Sequence, residues 1–270
     1  MTLLRASGLS KAYGATLALA DVSIDVESGE AVGVVGENGA GKSTLVSILG
    51  GAIVPDAGTI EWEGRRVRLR SPRDAAATGI GVVHQHDTLV PRFTVAENLG
   101  LAAGLERFPR HAALARRAHD LALQFGLDAG DPDAPCETLS VGARQRVEIL
   151  KALARPTRLL LLDEPTAVLA PGEVRELLAA IEKLRAAGVA IVLIDHKLHE
   201  VLEVCSRVVV LRRGRVVARV ATKETTAASL AAAMVGRPIE PDSRPAPPRE
   251  GAPALAVRDL SRGRLHGITL

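Results

Sequence analysis

The sequence predicts an α/β domain with a mostly parallel core sheet, and three observations lead there. Short apolar runs alternate with helix-period stretches through most of the chain; the runs are too short to be helices; and a glycine-rich turn joins one run to a helix. Ala31–Val35, Gly79–Val83, Arg158–Leu162 and Val189–Ile194 each read as strands buried on both faces, as strands of a covered parallel sheet are. Lys42–Leu49, Ala112–Phe125, Ala143–Ala154, Gly172–Ala187 and Leu198–Cys205 carry helical patterns between or after them.

The N-terminal part differs. Leu3–Leu9 and Val22–Val26 alternate like half-buried strands and close on a Ser28-Gly29 turn, and Gly58–Glu63 with Gly64 adds another. They predict an antiparallel β subdomain. The stretch from about residue 110 to Gln124 is a helical insertion with Gly126 as its stop. Val208–Leu211, Arg213-Gly214 and Val216–Val220 form a last hairpin.

Composition narrows the class. Of 270 residues 47% are apolar but only 2% aromatic, so the core is built from Leu, Val, Ile and Ala. The longest apolar runs are strand-sized, well short of the ~18 residues a membrane helix needs. Met1–Ser10 lacks the pattern of a secretory signal. Cys136 and Cys205 lie far apart without metal-ligand spacing and read as reduced thiols. The net charge of +3 comes from scattered Arg and acids, so no nucleic-acid partner is expected.

From Pro238 the composition shifts. Pro241, Pro245, Pro247, Pro248 and Pro253 crowd among charged residues, which predicts a linker over 238–253 after a first domain over 1–237. Ala254–Ser261 then repeats the pattern of Leu3–Ser10, and Ile268-Thr269-Leu270 that of Val22-Ser23-Ile24. Residues 254–270 thus read as the opening of a second copy whose remainder is missing, without a counterpart of Tyr13.

The chemistry begins at Gly36-Glu37-Asn38-Gly39-Ala40-Gly41-Lys42-Ser43-Thr44, a phosphate loop between a strand and a helix. Its glycines let successive backbone N–H groups face phosphate oxygens, and the following helix N-terminus adds positive potential. Lys42 reaches the β- and γ-phosphates and Ser43 places a hydroxyl on Mg²⁺. Leu159–Leu162 carries Asp163 to a strand end, where a carboxylate holds Mg²⁺, and Glu164 next to it is placed to polarise the attacking water. ATP and Mg²⁺ are the ligands this pair of motifs implies.

Leu139-Ser140-Val141-Gly142-Ala143-Arg144-Gln145 resembles the signature loop of ABC ATPases, about 20 residues ahead of Asp163. That resemblance extends over Leu3–Val235 and implies a P-loop ABC ATPase domain. In the family's order, Gln85 fits the glutamine loop that senses Mg²⁺ and the transmembrane partner, His196 the switch histidine near the γ-phosphate, and Tyr13 the aromatic that stacks on adenine. Ser140 and Gly142 would bind nucleotide held by another domain's phosphate loop. More narrowly, Gln145–Leu153, Glu164-Pro165-Thr166-Ala167, His196–Glu200 and Val83–His86 are similar to the tandem-domain importers of simple sugars or nucleosides, and the last segment is especially similar to the nucleoside-type members, which the resemblance therefore favours. The resemblance implies paired permeases on the cytoplasmic membrane face, an extracytoplasmic substrate-binding protein, and a second ABC domain in cis or a homodimer.

Departures are Val141 in place of the usual glycine, Asp195 where Thr usually precedes the switch histidine, and Ala170 where many relatives carry Asp, which puts a polar cross-dimer contact in doubt. A soluble ABC ATPase acting on nucleic acid or ribosomes shares every catalytic landmark, but no coiled-coil insertion, zinc motif or basic arm is visible. A P-loop kinase outside the family is disfavoured by the signature and His196. A metal reading of His84, His86 and Asp87 lacks a third convincing ligand.

Overall fold

The computed structural model describes residues 1–85, 88–103, 111–237, 256–263 and 265–269. The chain divides into two compact units, Met1–Pro238 and Ile239–Leu270.

In the first unit the elements run β1 (Thr2–Tyr13), β2 (Thr16–Glu27), β3 (Ala31–Val35), α1 (Lys42–Leu49), β4 (Ala57–Trp62), β5 (Arg65–Val67), α2 (Pro72–Thr78), β6 (Ile80–Val83), α3 (Val95–Ala103) and α4 (His111–Phe125). They continue with α5 (Val141–Leu153), β7 (Leu159–Asp163), α6 (Pro171–Ala186), β8 (Ala190–Ile194), α7 (Leu198–Val204), β9 (Arg207–Arg212), β10 (Arg215–Ala221) and α8 (Ala227–Val235).

Six strands form the central sheet in the order β10-β9-β3-β8-β7-β6. All neighbours are parallel except β10, which pairs antiparallel with β9. The second sheet, β2-β1-β4-β5, is antiparallel throughout. The mostly parallel core sheet and the antiparallel β subdomain are thus as expected. Burial explains why the core strands were legible: β3, β7 and β8 are buried at every position, so their sequences are unbroken apolar runs.

Alternate residues of those strands feed two cores. Leu160, Leu162, Ile191 and Leu193 pack with the helices α3 to α8, together with Leu150, Ile181 and Leu230. Leu159, Leu161, Val192 and Ile194 face the other way, onto α1 and the inner face of the antiparallel sheet at Leu4, Leu9, Ile24 and Trp62. The central sheet is therefore the middle layer, and the C-terminal ends of β3, β7 and β8 are held from both sides.

Three helices went unread in the sequence. Ser71 caps α2 by accepting from the Asp74 N–H at 3.2 Å, and Pro72 occupies its first turn. Thr94 and Glu97 form a reciprocal box at α3: Glu97 N–H donates to Thr94 Oγ1 at 3.1 Å and Thr94 N–H to Glu97 Oε2 at 2.8 Å. Thr226 caps α8 through the Ser229 N–H at 3.2 Å. The first hairpin is also longer than its apolar cores, ending in the pair Tyr13–Thr16.

The second unit contains β11 (Leu260–Arg262) and β12 (Leu265–Ile268), an antiparallel pair. Leu260 faces Ile268 across it, as Leu9 faces Val22 in the first hairpin. The Gly267 N–H donates to Ser261 Oγ at 3.0 Å, and the Asp21 N–H donates to Ser10 Oγ at the same distance. This short hairpin therefore has a residue pair and a side-chain bond of the same kind as the first hairpin. The predicted linker, 238–253, lies outside the described residues.

Candidate functional site

The phosphate loop is shaped by packing that leaves no room for a side chain at Gly36 or Gly41. A Cβ on Gly36 would lie 2.3 Å from the Leu211 carbonyl oxygen, and one on Gly41 2.5 Å from that of Ala18. Gly39 and Gly41 also have φ of +79° and +107°, a region that favours glycine. The loop thus sits tightly against β9 and β2 while its own backbone turns outward. Lys42, only 6% exposed, donates from Nζ to the carbonyl oxygens of Gly36 at 2.8 Å and Glu37 at 3.1 Å. These bonds span the loop from inside and hold its curl.

A cleft of about 1160 Å³ opens over this loop. Its lining contains Tyr13, Gly36, Glu37, Asn38, Gly39, Gly41, Lys42, Ser43, Thr44, Gln85, Glu164 and His196. Thr16, Leu17, Ala18 and Met234 complete it, and sequence reasoning had not found them. The first three belong to the tip of the β1–β2 hairpin, and Met234 comes from α8, which had not been read as an element. Tyr13 and Leu17 are half exposed beside the loop, an apolar flank suited to a flat ring. Ala40 is buried within the loop rather than on the cleft wall.

Asp163 and Glu164 end β7 with different surroundings. Asp163 is buried, and burial, with the Glu164 charge added, raises its pKa above the usual carboxylate value against the pull of His84 and Lys42. Glu164 turns out toward the cleft with φ +49°, a costly backbone for a side-chain-bearing residue. Its N–H is anchored to the Ile194 carbonyl at 2.8 Å. Gln85, just after β6, donates from Nε2 to Glu164 Oε2 at 2.9 Å. His196, following β8, places Nδ1 3.6 Å from Glu164 Oε1. Residues from the ends of three neighbouring parallel strands thus converge on one carboxylate.

The donors present fit a hard divalent cation: the Ser43 hydroxyl, the Asp163 carboxylate and the Gln85 amide oxygen. They suit Mg²⁺ by chemistry, and the glycine-backed loop suits phosphate. No cluster of three or more His, Cys, Asp or Glu able to hold a metal occurs among the described residues. Of the histidine cluster set aside above, His84 is exposed, while His86 and Asp87 lie outside the described residues.

Ser140 and Gly142 do not line this cleft. Ser140 is exposed and caps α5, accepting from the Ala143 N–H at 3.1 Å. Gly142 is pressed against α6: a Cβ there would lie 1.8 Å from Glu173 Oε1. Glu173 in turn accepts from the Ala170 N–H at 3.0 Å, closing the start of α6 where Ala170 offers no capping side chain.

A parallel sheet whose strand ends carry a glycine-rich loop, a lysine and an Asp-Glu pair defines a P-loop nucleotide-binding domain. The chain belongs to the ABC transporter family, whose sequence pattern matches residues 19–167. It is 43% identical over 264 residues to the ribose import ATP-binding protein RbsA of Chelativorans sp. (strain BNC1), which covers 96% of this chain and 51% of that relative. To the glucose import ATP-binding protein TsgD13 of Haloferax volcanii it is 42% identical over 298 residues, covering 98% and 54%. The chain spans about half the length of the curated relatives it matches. Among solved structures, an ATP-binding subunit of an ABC transporter is 32% identical with a TM-score of 0.67, covering 81% of this chain and 90% of that one. An ATP-binding cassette in its ADP conformation superposes with a TM-score of 0.75 at 26% identity, covering 87% and 95%.

Proposed function

We propose that the chain binds and hydrolyses ATP and thereby energises an ABC importer of simple sugars. The observation that carries this reading is the convergence of Lys42, Gln85, Glu164 and His196 on the single cleft over the phosphate loop. A bound Mg²⁺ would neutralise charge on the β- and γ-phosphates and fix their orientation. Ser43, Asp163 and Gln85 are the residues that would hold it. Lys42 and the N–H groups of residues 39–44 bind the phosphate oxygens, and Tyr13 covers one face of the adenine.

Glu164 accepts hydrogen bonds from the attacking water and orients it, taking its proton as the water oxygen bonds to the γ-phosphorus and the bond to the β-phosphate oxygen breaks, releasing ADP. Its carboxylate is aimed by Gln85 and by the Ile194 carbonyl that holds its backbone. His196 donates to the γ-phosphate and stabilises charge that grows there. Ser140 and Gly142 do not line this cleft and serve a second nucleotide domain: the one that begins near residue 254 in cis, after a linker over 238–253, or a second copy of the chain. The Leu260–Ile268 pair and the Ser261 bond support the cis arrangement.

The sugar class follows the relatives, which are named for ribose and glucose import; nucleosides are the second reading, favoured by the Val83–His86 segment. The partners are membrane permease subunits and, through them, an extracytoplasmic binding protein, with this chain on the cytoplasmic face. No helix among the described residues is long and apolar enough to cross a membrane. The test is uptake of labelled ribose, glucose and nucleosides by source cells carrying Lys42→Ala. Selective loss of a sugar supports the reading. Selective loss of nucleosides reassigns the substrate, and unchanged uptake of all three removes the importer.

A further inference from the structure

A second set of bonds lies directly behind the cleft and uses a residue the family pattern does not lead one to expect. Asp195 stands between the end of β8 and His196 and is only 1% exposed. A carboxylate so deep in the protein costs several kcal/mol unless donors satisfy it. It has two, from different elements. Thr166 Oγ1, itself on a residue 1% exposed, donates to Oδ2 at 2.9 Å. The Lys197 N–H donates to Oδ1, also at 2.9 Å.

The two donors tie together segments that carry the reacting groups. Thr166 is two residues beyond Glu164, and Lys197 is the residue after His196. Lys197 closes the ring from the other side, its Nζ donating to the Thr166 carbonyl oxygen at 2.8 Å. The His196 Nδ1 lies 3.8 Å from Asp195 Oδ1, close to its approach to Glu164. Two carboxylates thus flank Nδ1, one from each segment.

We propose that Asp195 is a positioning residue that locks the Glu164 turn to the His196 loop through Thr166 and Lys197. A hydroxyl residue at this place offers a single side-chain oxygen. The carboxylate offers two, one for each segment, and the bridge it makes opposes relaxation of the left-handed Glu164 backbone. Asp195 touches no reacting atom; it acts through Glu164 and His196. The inference rests on the ATPase reading above.

The test is a double-mutant cycle on ATP turnover by the chain, with nucleotide affinity and thermal unfolding measured beside it. Thr166→Val and Asp195→Ala should each lower kcat about tenfold while the nucleotide Kd stays within about twofold. Together they should cost no more than the worse of the two. Asp195→Asn keeps both contacts, with its amide donating to the Thr166 hydroxyl, and should restore most of the turnover. Should Asp195→Ala not fold, Thr166→Val still carries the test through the same split between kcat and Kd. Unchanged kcat in a folded variant, multiplicative losses, or an Asp195→Asn as slow as Asp195→Ala would overturn the proposal. An unaltered chain that binds ATP without turning it over would instead overturn the ATPase reading, and the positioning role with it.

Discussion

Gln85 Nε2 donates to Glu164 Oε2 across 2.9 Å, joining the ends of two adjacent parallel strands, β6 and β7, from positions 79 residues apart in sequence. The bond fixes one oxygen of the carboxylate that the proposed chemistry depends on. It leaves the Gln85 amide oxygen free to face a cation. Gln85→Ala should therefore slow ATP turnover about tenfold, a loss of about 1.4 kcal/mol in transition-state stabilisation, with little effect on affinity measured without Mg²⁺. Initial rates beside calorimetric Kd values would check this; equal losses in both would place Gln85 in binding alone.

Lys42→Ala removes the buried ammonium that spans the loop to Gly36 and Glu37. Both the phosphate contact and the loop's inner support are lost. ATP affinity should fall on the order of 100-fold, about 2.7 kcal/mol. Titration of a fluorescent ATP analogue would read this, and an unaltered Kd would exclude the loop as the phosphate site.

Gly41→Ala and Gly39→Ala separate sterics from backbone freedom. Both glycines have positive φ, but only Gly41 has backbone in the way, at Ala18. Gly39→Ala should cost about 1 kcal/mol of stability and Gly41→Ala more than about 2 kcal/mol. Urea midpoints would rank them, and equal costs would mean that the Ala18 contact yields freely.

Asp163→Asn tests electrostatics at the cation site. Burial raises the folded pKa of Asp163, with Glu164 adding to it. The folded value therefore lies above the unfolded one. Stability is complete below the unfolded pKa and falls as pH rises through the folded pKa. Without nucleotide, Asp163→Asn should melt higher than the unaltered chain at pH 7. The gain should vanish toward pH 3. A variant less stable at neutral pH would reverse the assigned sign.

Legibility of the fold followed burial. The core strands are covered on both faces, so Leu159–Leu162 and Val189–Ile194 are continuous apolar runs whose boundaries fell within a residue or two of those observed. The hairpin tip from Lys11 to Ala18 is largely exposed and carries no apolar period, so beyond Tyr13 it escaped notice although it supplies Thr16, Leu17 and Ala18 to the cleft. The helices α2 and α3 did announce themselves, by Ser71-Pro72 and by the Thr94/Glu97 box, but they are short and lack a long apolar period. α8 is Ala-rich with a single fully buried side chain, Leu230, which gives periodicity little to work with.

The site was legible where chemistry needs a fixed local spacing. Gly36–Thr44 and Asp163-Glu164 are contiguous, and their positions on strand ends follow from the apolar runs before them. The bond between Gln85 and Glu164, and the one between Thr166 and Asp195, join segments far apart in sequence. No local pattern encodes them; only the parallel register of β6, β7 and β8 brings those residues within reach.

The central claim, that the cleft over Gly36–Thr44 hydrolyses ATP by way of Glu164, is met most directly by Glu164→Gln. The amide fills the same space and can keep the contact with Gln85, but it cannot take a proton from water. ATP binding by equilibrium titration should stay within about threefold of the unaltered chain, while turnover falls at least 100-fold. A Glu164→Gln chain that hydrolyses ATP at the unaltered rate would contradict the account.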